Sequence, residues 1–168
     1  MGEFARTLQT AIRDGLDART TGFEWREEHD VGGTPVDVVG VAESDADGEC
    51  AFVAVELEVR RADPVNNTVK LLRNLDAGVL DAHDSVVVCQ VFSAYYDLVD
   101  GGVSTKRENA AFVGRLAERA DDRVEFHALT LPVDPPKRGD DPPAEWREGV
   151  DDAIDGVLRA LDAEGAVS

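Results

Sequence analysis

Glu56 and Glu58 stand two residues apart in "VAVELEVRR", residues 53–61, within a stretch that otherwise reads as a buried strand. A carboxylate is costly to bury unless a partner offsets the loss of water. Strand side chains alternate, so positions i and i+2 share a face, roughly 7 Å apart along the backbone. Val53, Val55, Leu57 and Val59 line one face, which is core. Phe52, Ala54, Glu56 and Glu58 line the other, which begins apolar and ends in two acids. Asp37 lies in the preceding apolar run, flanked by Val36, Val38 and Val39. The midpoint between Asp37 and Glu56 falls inside the polar turn "ESDADGE", 43–49, so antiparallel pairing brings the two close. Three carboxylates at one spot repel unless a proton or a cation intervenes. A hard divalent ion takes carboxylate and carbonyl oxygens plus waters, and turns that repulsion into coordination. Bound Mg²⁺ can orient an attacking water and stabilise charge on a phosphoryl oxygen. The competing reading leaves Glu56 and Glu58 on the solvent face of a half-exposed sheet, with Asp37 incidental.

The elements that would hold these residues follow from periodicity. Phe4, Leu8, Ile12 and Leu16, four apart, predict an amphipathic helix over 3–19. "FEWREEHDV", 23–31, the turn "GGTP" and "VDVVGVA", 36–42, read as an antiparallel hairpin, and residues 50–60 add a third strand. Asp63-Pro64 opens a helix to about residue 77, with Pro64 suited to its first position. "DSVVVCQVFS", 84–93, has the look of a strand buried on both faces. A helix over 105–120, a strand over 123–133 and a helix over 144–163 complete the order α-β-β-β-α-β-α-β-α. The later βαβ pieces should pair in parallel, which gives an α/β fold with a mixed sheet flanked by helices. One domain spans 1–168, and the Pro- and Asp-rich loop 134–143 is its candidate flexible segment.

With Pro35-Val36-Asp37 on the second strand and Glu56-Leu57-Glu58 on the third, the chain resembles the PD-(D/E)XK nuclease superfamily, over roughly residues 3–93. The resemblance implies a restriction-endonuclease-like fold with an α-β-β-β-α-β core. It implies that Asp37, Glu56 and the backbone carbonyl of Leu57 bind Mg²⁺ or Mn²⁺. The last motif residue of that family is usually a lysine that positions or activates water. Here it is Glu58, as glutamate or glutamine is in a minority of its restriction enzymes, and it would help to orient water or a second ion. The activity implied is metal-dependent hydrolysis of a phosphodiester in DNA, and the family's habits admit a homodimer. The alternative is an inactive nuclease-fold module that binds nucleic acid or protein.

The helix after the glutamates carries a second signal. Over residues 59–75, Arg60, Arg61, Lys70 and Arg73 are opposed by Asp63 alone, in a chain of net charge −18. Arg60 continues the Glu56/Glu58 face and could approach a phosphate. Asn66, Asn67, Lys70 and Arg73 can reach a nucleic-acid backbone or base edge. The other reading pairs these cations with surrounding acids.

Composition bounds the setting. Of 17 basic residues only Lys70, Lys106 and Lys137 are lysines, against 35 acids. An acidic, lysine-poor surface suits a cytoplasm of molar salt, as in halophilic archaea, where hydration and self-repulsion keep a protein soluble. An acidic protein that avoids or mimics nucleic acid is the alternative. No apolar run approaches a membrane span, and no secretory signal opens the chain. Cys50 and Cys89 read as small buried hydrophobes in a reducing cytoplasm.

Other signals are set aside. "ESDADGE" imitates a calcium loop, but the twelfth position is Ala54 and strands flank it, so turn chemistry explains it. His29, His83 and His127 have no partner at ligand spacing, and Gly32-Gly33 makes a turn rather than a phosphate loop. Gln90 reads as a satisfied buried amide, or else lines the same cleft. Tyr95 and Tyr96 could stack on bases or plug the sheet edge.

Overall fold

A computed structural model describes residues 2–42, 50–60, 62–137 and 139–163. Helix α1, Glu3–Arg19, buries Leu8, Ile12 and Leu16 along the predicted stripe. Strands β1, Phe23–Val31, and β2, Thr34–Ala42, form the hairpin. Gly32 and Gly33 turn it with φ of 58° and 81°, values that favour glycine. The Asp30 side chain accepts from the Gly33 N–H at 2.9 Å and steadies the turn. Strand β3, Ala51–Glu58, is buried along its whole length. Helix α2, Val65–Asp76, leads to β4, Ser85–Ser93. A short 3₁₀ turn, Ala94–Tyr96, precedes α3, Thr105–Ala120. Strand β5, Val124–Leu131, and helix α4, Trp146–Ala163, follow.

The order is the one the periodicity predicts, with small shifts at the ends. Pro64 caps α2 from just outside rather than opening it, its φ of −69° already helical. Strand β5 stops before Pro132, which has no N–H for the ladder. The calcium-like stretch 43–49 lies outside the described residues.

The five strands among the described residues join in one sheet of order β1-β2-β3-β4-β5. The first three run antiparallel, and β3, β4 and β5 are parallel. One face of the sheet packs Val38, Val53, Val55, Val87 and Cys89 against Leu8, Ile12 and Leu16 of α1 and Val150, Ile154 and Val157 of α4. The other packs Val39, Phe52, Ala54, Val86, Val88 and Phe126 against Leu71 and Leu75 of α2 and Ala111 and Ala117 of α3. The α-β-β-β-α-β core implied over residues 3–93 is present. Two aromatic rings approach the backbone closely at glycines. A Cβ on Gly40 would meet the Trp25 ring at 2.7 Å, and one on Gly114 the Phe126 ring at 2.3 Å. No helix among the described residues is long and apolar enough to cross a membrane.

Candidate metal and nucleic-acid site

The site begins where β2 leaves β3. Its pairing with β3 ends at Val38↔Val55, and the same register carried one residue further sets Asp37 beside Glu56. Opposed residues of antiparallel strands point to one side, so the turn-symmetry argument places this pair correctly. On the β1 side the ladder holds Glu27↔Val38 and His29↔Val36 and skips the pair between them. Glu28, opposite Asp37, has φ of 48°, the left-handed region that few glutamates adopt. Asp37 bonds outward instead. Its carbonyl accepts from Gln9 Nε2 of α1 at 2.7 Å, and its Oδ2 accepts from the Leu57 N–H at 2.8 Å. The aspartate side chain thus spans the gap between the strands.

A cavity of about 570 Å³ opens at this splay. Asp37, Leu57, Arg60, Asn67 and Lys70 line it, with Glu28 from β1, the first turn of α1 and the Pro135–Pro136 loop around them. Asp37, Glu56 and Glu58 are 5%, 8% and 0% exposed, so the glutamates lie on a buried face and not on a solvent face. Asn67 Nδ2 donates to Glu56 Oε2 at 3.3 Å and to Glu58 Oε1 at 3.1 Å. Gln90 Nε2 donates to the same Glu58 oxygen at 2.9 Å and to the Pro64 carbonyl at 3.0 Å. Thr68 Oγ1 completes the chain by donating to Gln90 Oε1 at 3.1 Å. Gln90 is therefore a satisfied buried amide, and Glu58 is the hub that fastens α2 to β3 and β4.

Among the described residues, no group of three or more His, Cys, Asp or Glu side chains is placed to hold a metal ion. The register sets Glu56 next to Asp37, but of the two only Asp37 lines the cavity, together with Leu57, whose N–H the Asp37 carboxylate holds. Such a set fits Mg²⁺, which keeps several waters and is content with one or two carboxylates plus phosphate oxygens. It does not make a closed protein cage.

The basic residues divide. Arg60 and Lys70 line the cavity with Asn67, whose amide is turned onto the glutamates. Arg60 also donates to the Pro135 carbonyl at 2.9 Å and lies over the Tyr95 ring, 5.2 Å from its centre. Asn66 and Arg73 sit on the exposed side of α2, away from the cavity lining. Arg61 lies outside the described residues. Tyr96 is buried edge-on against Phe92, whereas Tyr95 is 44% exposed.

Two residues of the site escaped the sequence reading. Gln9 falls on the apolar stripe of α1, three before Ile12, and a polar residue there signals a buried partner. Glu28 carries no such mark, because its backbone twist arises only where β1 passes Asp37.

No protein-family model matches the chain, and no curated protein matches it significantly. Among solved structures the chain is similar to a repair endonuclease from Pyrococcus abyssi, with 22% identity over 79% of this chain and a TM-score of 0.39. The match covers 49% of that protein, so this chain spans about half its length. A likeness this distant leaves the chemistry to be read from the cavity itself.

Proposed function

We propose that the chain binds DNA at the β2–β3 splay and, with Mg²⁺ or Mn²⁺, hydrolyses a phosphodiester there. One observation carries this reading: a single cavity is lined by Asp37 and Leu57 together with Arg60 and Lys70. An acid that suits a divalent cation and bases that suit a phosphate then share one space, with Glu56 next along the strand. Asp37, Glu56 and the Leu57 carbonyl would hold the metal. When bound, the ion lowers the pKa of a coordinated water and offsets charge on the phosphoryl oxygens. Lys70 and Arg60 draw the phosphate in and neutralise its charge. Asn66 and Arg73 extend contact along the outer side of α2. Glu58 acts through Asn67, keeping α2 and its lysine at the right height over the acids. The test is cleavage of plasmid, single-stranded and branched DNA with Mg²⁺ or Mn²⁺ in molar KCl. Asp37→Ala and Glu56→Ala should abolish cutting, and Lys70→Ala should weaken it about tenfold or more, since each lost phosphate partner weakens transition-state binding. Activity that survives Asp37→Ala overturns the reading.

A second reading is favoured by Glu58. The position that carries lysine in the resembling family here holds a fully buried acid tied to two amides. A nuclease fold that has lost its chemistry and binds nucleic acid or protein would tolerate that change. Its mark is a thermal midpoint that Mg²⁺ and Mn²⁺ leave unmoved, because an intact metal site stabilises the fold by mass action.

A further inference from the structure

Cys50 and His83 lie at the far end of the sheet from the cavity. Cys50 precedes β3 and His83 precedes β4, two parallel neighbours, whereas Glu58 ends β3. The Cys50 Sγ is 3.2 Å from His83 Nδ1, and both residues are half-buried. The pair is held from several sides. Asp84 Oδ2 accepts from the Cys50 N–H at 3.0 Å, and the Asp84 N–H donates to the Cys50 carbonyl at 2.9 Å. The Phe52 ring lies 5.1 Å from the imidazole, centre to centre. Arg123 Nη1 donates to the His83 carbonyl at 3.2 Å. Among the described residues, the charged groups facing the imidazole are Asp84 and Arg123. Burial, the largest influence, holds the His83 pKa below its ordinary value of 6.5, Asp84 opposes it and Arg123 reinforces it. The ring is then neutral at pH 7, and with its hydrogen on Nε2 the Nδ1 can take a proton.

We propose that Cys50 and His83 form a nucleophile–base pair, a modification site for small soft electrophiles, hydrogen peroxide among them. A thiol beside an oriented base is the arrangement that activates sulfur. In the peroxide reaction the Cys50 sulfur attacks one oxygen, forming S–O as O–O breaks. The thiol proton passes through His83 Nδ1 to the departing hydroxide, giving Cys50 sulfenic acid and water. Sulfur is oxidised and peroxide is reduced. Cys89 supplies the contrast within the same molecule: it is fully buried, and burial pushes its thiol up to about 12.

The test measures iodoacetamide alkylation and dimedone-trapped sulfenic acid at each cysteine by peptide mass spectrometry, on the folded chain. Cys50 should react and Cys89 should stay unmodified. His83→Phe keeps a ring against Phe52 but removes the base. It should slow Cys50 about a hundredfold at pH 7, the lower end of general-base effects, and the rates should converge near pH 10, above the ordinary thiol pKa of about 8.5. His83→Gln makes the same comparison should the phenylalanine disturb the fold, and a thermal melt of each variant reports which is intact. A Cys50 rate at pH 7 equal in wild type and both variants overturns the proposal. So does a wild-type rate no greater than that of Cys50 in the urea-unfolded chain.

Discussion

Asp37 closes a gap in the β ladder with its own side chain, so its structural and chemical parts can be separated by substitution. Asp37→Ala leaves the buried Leu57 N–H without its acceptor, a loss of about 1–3 kcal/mol. Asp37→Asn keeps an oxygen at that N–H but removes the charge a divalent cation needs. We expect the urea midpoint of Asp37→Asn to stay near wild type while any Mg²⁺-induced rise in thermal midpoint disappears. If Asn preserves that rise, Asp37 is a wedge and not a ligand. His83 makes a second prediction at this scale. Its folded pKa is lowered by burial, so below its ordinary value of 6.5 the unfolded chain binds the proton more readily than the folded one. The stabilising contribution is therefore complete above that pH and is lost as pH falls through the lower folded value. Urea midpoints between pH 8 and pH 5 should drop more steeply for wild type than for His83→Phe, whose side chain does not titrate.

Between elements, α3 approaches β5 closely where Gly114 leaves room for the Phe126 ring. A methyl group there must push helix or ring aside. Gly114→Ala should destabilise the fold by about 1–3 kcal/mol, the usual cost of overpacking, read as a lower urea midpoint with unchanged slope. An unchanged midpoint would mean that α3 can shift freely on the sheet. The element scale also marks how far the sequence could be read. The strands and their Asp37–Glu56 register were legible because period-2 alternation and one short turn determine them locally. The link from Glu58 through Asn67 and Gln90 was not, because it forms only when α2 docks across β3 and β4. Asn67 read as a nucleic-acid contact for that reason: its helix was clear, but the direction of its amide was not. Arg60 likewise pointed to a phosphate by its face, whereas its bond to the Pro135 carbonyl joins residues 75 positions apart.

For the whole molecule the governing quantity is its net charge of −18. Like charges spread over one folded surface repel, and unfolding lets them separate. Salt screens that repulsion, with a Debye length of about 10 Å at 0.1 M and about 3 Å at 1 M. The thermal midpoint should therefore climb by several degrees between those two KCl concentrations, as a melt series would show. A flat series would mean that the acids are already neutralised by their neighbours. The sheet has a different consequence, for synthesis. Because its spatial order repeats its chain order, no strand must be threaded between two that are already joined. Strands can zip together in the sequence in which a ribosome releases them. The α1 face is the exception: α4, which follows all five strands, supplies much of its cover. A nascent chain halted before residue 146 would carry a finished sheet with one side covered by α1 alone, and it is at that stage that a chaperone would have most to grip.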